Sequence, residues 1–550
     1  MTLLVLLTTA GSLALPDSSS TATDAATVSG QQGRVFYLSP DGSDSAAGSS
    51  PDTAWRSLAR ASAQRLLPGD HVLLRAGTTF PGTLRLDAQD AGDATAPVVI
   101  GSFGAGAATI AALDEPAIVV HNTAGVDVRD LVVVGGAGTR RVRGGISITT
   151  DLPGARRLTG VRISGVDVSG FANGIEIGGG PGGSGFRDVR IERTRAHGNL
   201  EAGIAIHGPV FTPAAPSYAH ERVVVSRVDA YDNTGDPENL GRNTGSGILL
   251  GSVRGGRVEW STAHGNGGRS AAPDGPVGIW TYDSTGVVIE HNVSYGNQTG
   301  GSADGDGFGL DQNVSHSVLQ YNLSYGNAGA GYLLWMSPPI GAYQDNVVRW
   351  NVSSHDSQWS AFYAGITVHG RVRDTQIYHN TVIAGSGTPA LRVDAGVTGL
   401  ETRNNIFVTD GSAPVVVAAK LTPAEASLQG NAYYDATGGT PWFAWGEAAY
   451  AGLGPWRSST GQELLNGAPT GWTADPELID PSRWPTVVDP TDLSGAAGVM
   501  VRPGSPLVAG GLDLRALLGD VGSTDFFGRS LRGVAPSPGA DQPTGHGGQR

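Results

Sequence analysis

The 550-residue chain has no cysteine and only three methionines, so neither disulfides nor thiolate-held metals can brace it. Lysine is almost as scarce, because Lys420 is the single lysine among 36 basic residues, and no run or stripe of basic residues occurs. With a net charge of −14 and no basic footprint, no nucleic-acid partner is expected. Long hydrophobic runs are missing too. The apolar stretch in MTLLVLLTTAGSLA is too short to cross a bilayer, and no later segment does better, so no membrane span is expected. Charged residues make up only 16% of the chain, whereas there are 84 Gly and 32 Pro, which suits short strands with many tight corners better than helices.

What is present is a repeat. Gly278 opens GIWTYDS, Gly307 opens GFGLDQN, Gly331 opens GYLLWMS and Gly365 opens GITVHGR; a second phrase, HNVSYGN, YNLSYGN or WNVSSHD, follows the first three. A unit this short, with its own apolar strands and Asn/Gly corners, cannot bury its apolar face alone and must stack on copies of itself. Counting from each opening Gly, odd positions form an apolar column: Ile146/Ile148, Ile175/Ile177, Ile204/Ile206, Ile248/Leu250, Ile279/Thr281, Phe308/Leu310, Tyr332/Leu334 and Ile366/Val368. Strand alternation sends that column inward, and its constant phase makes the strands parallel and in register, about 4.8 Å apart. The fold class expected is therefore all-β, a parallel β-helix with two or three strands per coil. Two series of Asn, from Asn199 to Asn327 and from Asn292 to Asn405, recur at the corners and predict amide ladders.

The expected organisation has five parts. Residues 1–33 are a signal-like segment and leader, which predicts a secreted protein. Residues 34–116 hold a cap and the first strands, with an amphipathic helix in TAWRSLARASAQRLL, capped by Thr53, closing the end of the core. Residues 117–409 are the coils, 410–542 a C-terminal strap along them, and 543–550 a loose tail. A monomer is expected.

Even positions of the same strands face outward and carry Glu176, His207, Leu249, Trp280, Tyr282, Asp311, Leu333, Trp335, Thr367 and His369. Flat rings beside a carboxylate suit a sugar polymer, so Trp280, Tyr282, Trp335, His207 and His369 are the candidate substrate-binding residues; the alternative is that neighbouring loops cover the rings. The rung SADGDGFGLDQN differs from its neighbours, and its Asp304, Asp306 and Asp311, with Asp283 one coil earlier, are the candidate catalytic carboxyls. Glycoside hydrolysis needs two carboxyls, about 5 to 5.5 Å apart for retention or 6.5 to 9.5 Å for inversion. Asp306 and Asp311 would lie roughly 16 Å apart along an extended strand, which makes Asp283 the nearer partner for Asp311 and leaves Glu176, four coils off, a poor one. Two other readings of the cluster are a Ca²⁺ site at Asp304 and Asp306 and Asp residues that cap turns.

The phrases FYLSPDGSD, HNVSYGN and PGSPL…DFFGRSL…PGADQ resemble secreted bacterial right-handed parallel β-helix proteins of the pectate-lyase-like superfamily, over roughly residues 34–542. That resemblance implies a right-handed helix and a carbohydrate-active protein acting on an extracellular polysaccharide. ADGDGFGLD is similar to the calcium-binding region of the β-helix pectate lyases that use a Lys base, but Asp311 stands where that Lys would be, and YGNAGAGY has Ala and Gly in place of their calcium-binding Asp residues. An Arg base, Arg371 or Arg392, is the substitute a lyase would need. The Asp-Pro-His-Asp motif of β-helix alginate epimerases is absent. The reading expected from the residues is a polysaccharide-cleaving glycosidase, with a calcium-assisted lyase and a non-catalytic glycan-binding protein as alternatives.

Overall fold

A computed structural model describes residues 33–543 apart from 91, 339, 340, 342 and 361. The signal-like segment up to residue 32 and the tail from 544 lie outside the described residues. Among the described residues three sheets of 14, 13 and 14 strands run along the coils, parallel throughout except for the last strand of the third, Ala448–Ala451, which pairs antiparallel with Trp442–Trp445, and the chain visits them in turn, as in Thr285–Glu290, Val293–Tyr295 and Asp306–Leu310. Each coil thus has three strands. Across the third sheet the register is unbroken, with Ile146 opposite Ile175, then Ile204, Ile248, Ile279, Phe308, Tyr332 and Ile366. Every one of these side chains is 0% exposed. Burying each contributes about 1.5–3 kcal/mol against the entropy of ordering the chain, so the core column is the main stabiliser of a fold without disulfides.

Both amide ladders form. Asn199, Asn233, Asn266 and Asn297 each donate from Nδ2 to the Oδ1 of the next Asn at 2.9 Å, ending on Asn327. The second ladder, Asn292 to Asn405, has links of 2.9–3.1 Å and continues to Asn431. Each ladder terminates on a buried acid: Asn327 donates to Asp356 at 2.8 Å and Asn431 to Glu463 at 2.9 Å. The last amide in a buried row still needs an acceptor, and a carboxyl supplies one.

At the N-terminal end the expected long helix is only one turn, Leu58–Ser62, with Leu58 and Ala61 buried in the core. Its cap is Ser57, whose hydroxyl accepts from the Arg60 N–H; Thr53 instead sits in a short 3-10 turn, Pro51–Thr53. Trp55 is 1% exposed and bridges to Leu38, so sheet pairing captured a residue that helical spacing assigned to the helix. At the other end, Trp456 of the helix Leu453–Thr460 stacks on Phe443 at 4.2 Å and joins the core. The segment beyond it lays Leu478, Val487, Val499 and Phe526 against Leu323, Val352 and Ile406 on the outer side of the second sheet. The third sheet keeps its outer side for the loops that precede its strands.

Candidate active site

The outer side of the third sheet carries two columns. The first runs Glu176, Ala205, Leu249, Trp280, Gly309, Leu333, Thr367 and Arg392. It is mostly roofed. Trp280, expected on an open face, is 5% exposed and donates its indole N–H to Ser246 Oγ at 3.1 Å. Leu333 and Thr367 are likewise buried, Leu333 against Ala330 and Tyr363 and Thr367 accepting from the Ala364 N–H at 2.9 Å. Trp280 therefore serves as packing and offers no sugar platform.

The second column stays partly open: His207, Gly251, Tyr282, Asp311, Trp335, His369 and Asp394. Tyr282 lies over Gly251, where a Cβ would come within 2.4 Å of its ring. Trp335 stacks face to face on His369, centroids 3.9 Å apart. Both columns are free of rings on the same rung, at Gly309 and Asp311, so Asp311 stands in a gap with Tyr282 on one side and Trp335 on the other. Asp283 sits beside that gap. Its N–H donates to the Gln312 carbonyl at 2.7 Å, and its positive φ of 46° turns the side chain out of strand alternation. Its Oδ1 accepts from Asn313 Nδ2 at 2.6 Å.

Asp306 is 0% exposed, at the first position of its strand, with Oδ1 accepting from the Ala330 N–H and Oδ2 without a partner. Gly329 makes this possible, since a Cβ there would lie 2.1 Å from Asp306 Oδ1. Asp304 is fixed by Tyr363, whose hydroxyl donates to Oδ1 at 2.6 Å, and by the Gly275 N–H, which donates to Oδ2 at 2.7 Å. Burial raises the proton affinity of all four carboxyls. It pushes Asp283 up to about 6 against the bond from Asn313. It pushes Asp311 up to about 7, with the charges of Asp304, Asp274 and Asp283 adding to it and the Gln312 N–H opposing. Asp306 goes well above the usual carboxylate range through burial and then the charge of Asp304, and Asp304 itself is raised by burial. The four expected carboxyls thus form one interacting group, but Asp306 lies behind the sheet surface.

Among the described residues only Asp306 Oδ2, of the oxygens on the two expected calcium ligands, lacks a protein partner. Among the described residues no three His, Asp or Glu side chains converge as metal ligands, so the cluster does not fit the six to eight oxygens calcium takes. His207 is drawn away from the group: it bonds to Glu176 at 2.9 Å, and Glu176 also takes Ser147 and Arg143 at 3.0 and 3.2 Å. His369 belongs to the downstream side, its Nδ1 2.6 Å from Asp394 Oδ2. Burial works against ionisation of Asp394, but the bond from His369 and the charge of Arg392 outweigh it and hold the carboxyl low. Tyr363, Asp394 and Gly329 were not readable as site residues. Tyr363 lies 59 residues from Asp304 in a loop outside the repeat, and only the acid-rich rung hinted that its neighbours would differ.

The family model described as a right handed beta helix region matches residues 154–382. The chain is a right-handed parallel β-helix. A lacto-N-biosidase of Bifidobacterium longum subsp. longum is 29% identical over 145 residues, 26% of this chain and 8% of that protein. Among solved structures, the GH136 lacto-N-biosidase from Eubacterium ramulus aligns with TM-score 0.45 and 16% identity over 75% of this β-helix chain and 68% of its own. Pectate lyase Pel9A aligns with TM-score 0.43 and 18% identity over 93% and 96%. An alginate lyase from Paenibacillus sp. aligns with TM-score 0.39 and 16% identity over 58% and 91%. Among the described residues no helix of the β-helix chain is long and apolar enough to cross a membrane.

Proposed function

We propose that this chain is a carbohydrate-active enzyme that cleaves an extracellular polysaccharide by hydrolysing a glycosidic bond at the Asp311 rung. The observation that carries the reading is the ring-free gap at Gly309 and Asp311, with Asp283 beside it and the two carboxyls poised at about 7 and about 6. Groups with separated proton affinities near neutrality divide the roles of acid and base. Asp311, protonated about half the time at pH 7, gives its proton to the glycosidic oxygen as the bond to the sugar carbon breaks. Asp283, mostly ionised at that pH with Asn313 holding its Oδ1, either takes a proton from the water that attacks the anomeric carbon or bonds to that carbon until water displaces it; either way the water's hydroxyl ends on the carbon and its remaining proton on the carboxyl pair. Asp304 and Asp306 stand behind as buried carboxyls; burial first, and then negative charge at Asp304, favours the proton on Asp311. Tyr282 and Trp335 border the sugar, and no step is routed through a metal.

Elimination is the second chemistry. Its base would be an arginine, and Arg392 is held 3.2 Å from Asp394 Oδ1 with its guanidinium 4.8 Å over the Phe362 ring, which supports hydrolysis instead. Export belongs to the proposal on the strength of the apolar N-terminal stretch and is tested by recovering the protein from culture medium. Incubation with a polysaccharide panel, following reducing ends together with the ultraviolet absorbance of unsaturated sugars, tests the reaction. Reducing ends alone are expected; both signals would assign elimination, and neither would leave a glycan-binding protein.

A further inference from the structure

Ser357 and Trp359, in the loop that leads to Tyr363, pack one coil downstream of the backbone that holds Asp306: the Trp359 N–H donates to the Ala328 carbonyl at 2.9 Å and the Ser357 N–H to the Gly329 carbonyl at 2.7 Å. This loop carries two large rings that no core cluster claims, Trp359 at 66% and Phe362 at 41% exposed. They are the most exposed aromatic rings in the stretch between the acidic group and the downstream coils, and folding alone gives no reason to keep them there. Phe362 reaches over the sheet, 6.2 Å from His369 between centroids, and Arg392 sits beneath it at 4.8 Å. His369 is fixed between the Trp335 ring and Asp394, and with Nδ1 engaged by Asp394 its Nε2 makes no protein hydrogen bond among the described residues. Phe362 therefore offers an exposed apolar surface beside imidazole and guanidinium donors, two rungs from Asp311, with Trp359 exposed three residues before it.

We infer that Trp359 and Phe362 form a sugar-binding subsite on the downstream side of the cleft, in place of the buried Trp280. A pyranose unit next to the cleaved bond lays its C–H face on the rings, while His369 Nε2 and Arg392 donate to its hydroxyls. Tyr363 ties this part of the chain to Asp304, so the residues that carry the rings are anchored on the acidic rung. The inference rests on the hydrolase reading for its ligand, and the test below separates the two.

Affinity electrophoresis of the Asp311→Asn protein, which binds without turnover, is run in gels containing polygalacturonate, alginate, xylan or lacto-N-tetraose-substituted polyacrylamide. Retardation by at least one of these is expected. Because a well-placed aromatic contact contributes about tenfold in affinity, adding Trp359→Ala and Phe362→Ala should cost roughly a hundredfold and abolish retardation. Both rings are exposed, so the variants should melt as the parent does. Retardation that survives in the triple variant, or no retardation of the parent by any of the four, overturns the subsite. Turnover of the unmodified protein on the same panel decides the hydrolase reading independently.

Discussion

Replacing Asp311 with Asn should stabilise the protein at alkaline pH. Asp311 is raised from 3.8 to about 7 by burial and by neighbouring negative charge. A carboxyl raised in the folded state stabilises the fold only while it keeps its proton. The contribution is full below the unfolded value near 4, declines as the pH rises from there to about 7, and levels off above. Each tenfold change in proton affinity is about 1.4 kcal/mol, so ionised Asp311 costs the folded state roughly 4 kcal/mol at pH 8, as an upper figure. Asn has the same shape and no charge to desolvate, so the Asp311→Asn protein should match the parent near pH 4 and exceed it by up to that amount at pH 8. For some 500 ordered residues the unfolding entropy is about 1 kcal/mol/K, which makes the difference about 4 °C in Tm. Calorimetric melts of both proteins from pH 4 to 9 measure it. A Tm difference that does not grow with pH would show that Asp311 is well solvated, and the acid–base assignment would fall with it.

Gly329→Ala places a methyl 2.1 Å from Asp306 Oδ1 and 2.7 Å from the Asp304 carbonyl oxygen, so Tm should fall by about 1–3 °C and turnover should fall with it. Tyr363→Phe keeps the ring and removes the 2.6 Å bond to Asp304; kcat should drop at least tenfold, with the pH optimum displaced, while circular dichroism stays unchanged. Asn322→Ala breaks one ladder, removing the acceptor of the Asn292 backbone N–H and of one Asn292 Nδ2 hydrogen and the side-chain donor to the Ile289 carbonyl, and should cost about 3 kcal/mol in a denaturant titration. Chelation with EDTA should leave activity unchanged, because no step needs an ion.

The apolar column and the Asn ladders were legible because a stacked coil repeats one local environment: Ile279 and Ile366 meet the same neighbours, so sequence period and spatial period coincide. The site was legible only in part, for the complementary reason. Parity placed Trp280 on the outer side correctly, but exposure there depends on what neighbouring coils lay over it, and the ring is buried with its N–H on Ser246, at the start of the preceding coil's strand. Asp283 could be assigned beside Asp311 from coil spacing alone. Tyr363 could not, since its bond to Asp304 comes from outside the repeat; Asp394 stands in register after His369, but its strand follows Ala390 instead of an opening Gly and so escaped the repeat phrase. The short N-terminal helix shows the same limit: Trp55 fits a helical stripe, and pairing with Leu38 prevails.

The central claim is that Asp311 delivers the proton that breaks a glycosidic bond. Its most direct measurement is the initial rate of reducing-end release by the Asp311→Asn protein against the parent, on whichever polysaccharide the parent cleaves. Loss of a general acid predicts a fall of about a hundredfold or more in kcat, with a Tm at or above the parent's and no unsaturated product. Full activity in Asp311→Asn, or product that absorbs in the ultraviolet, would contradict it.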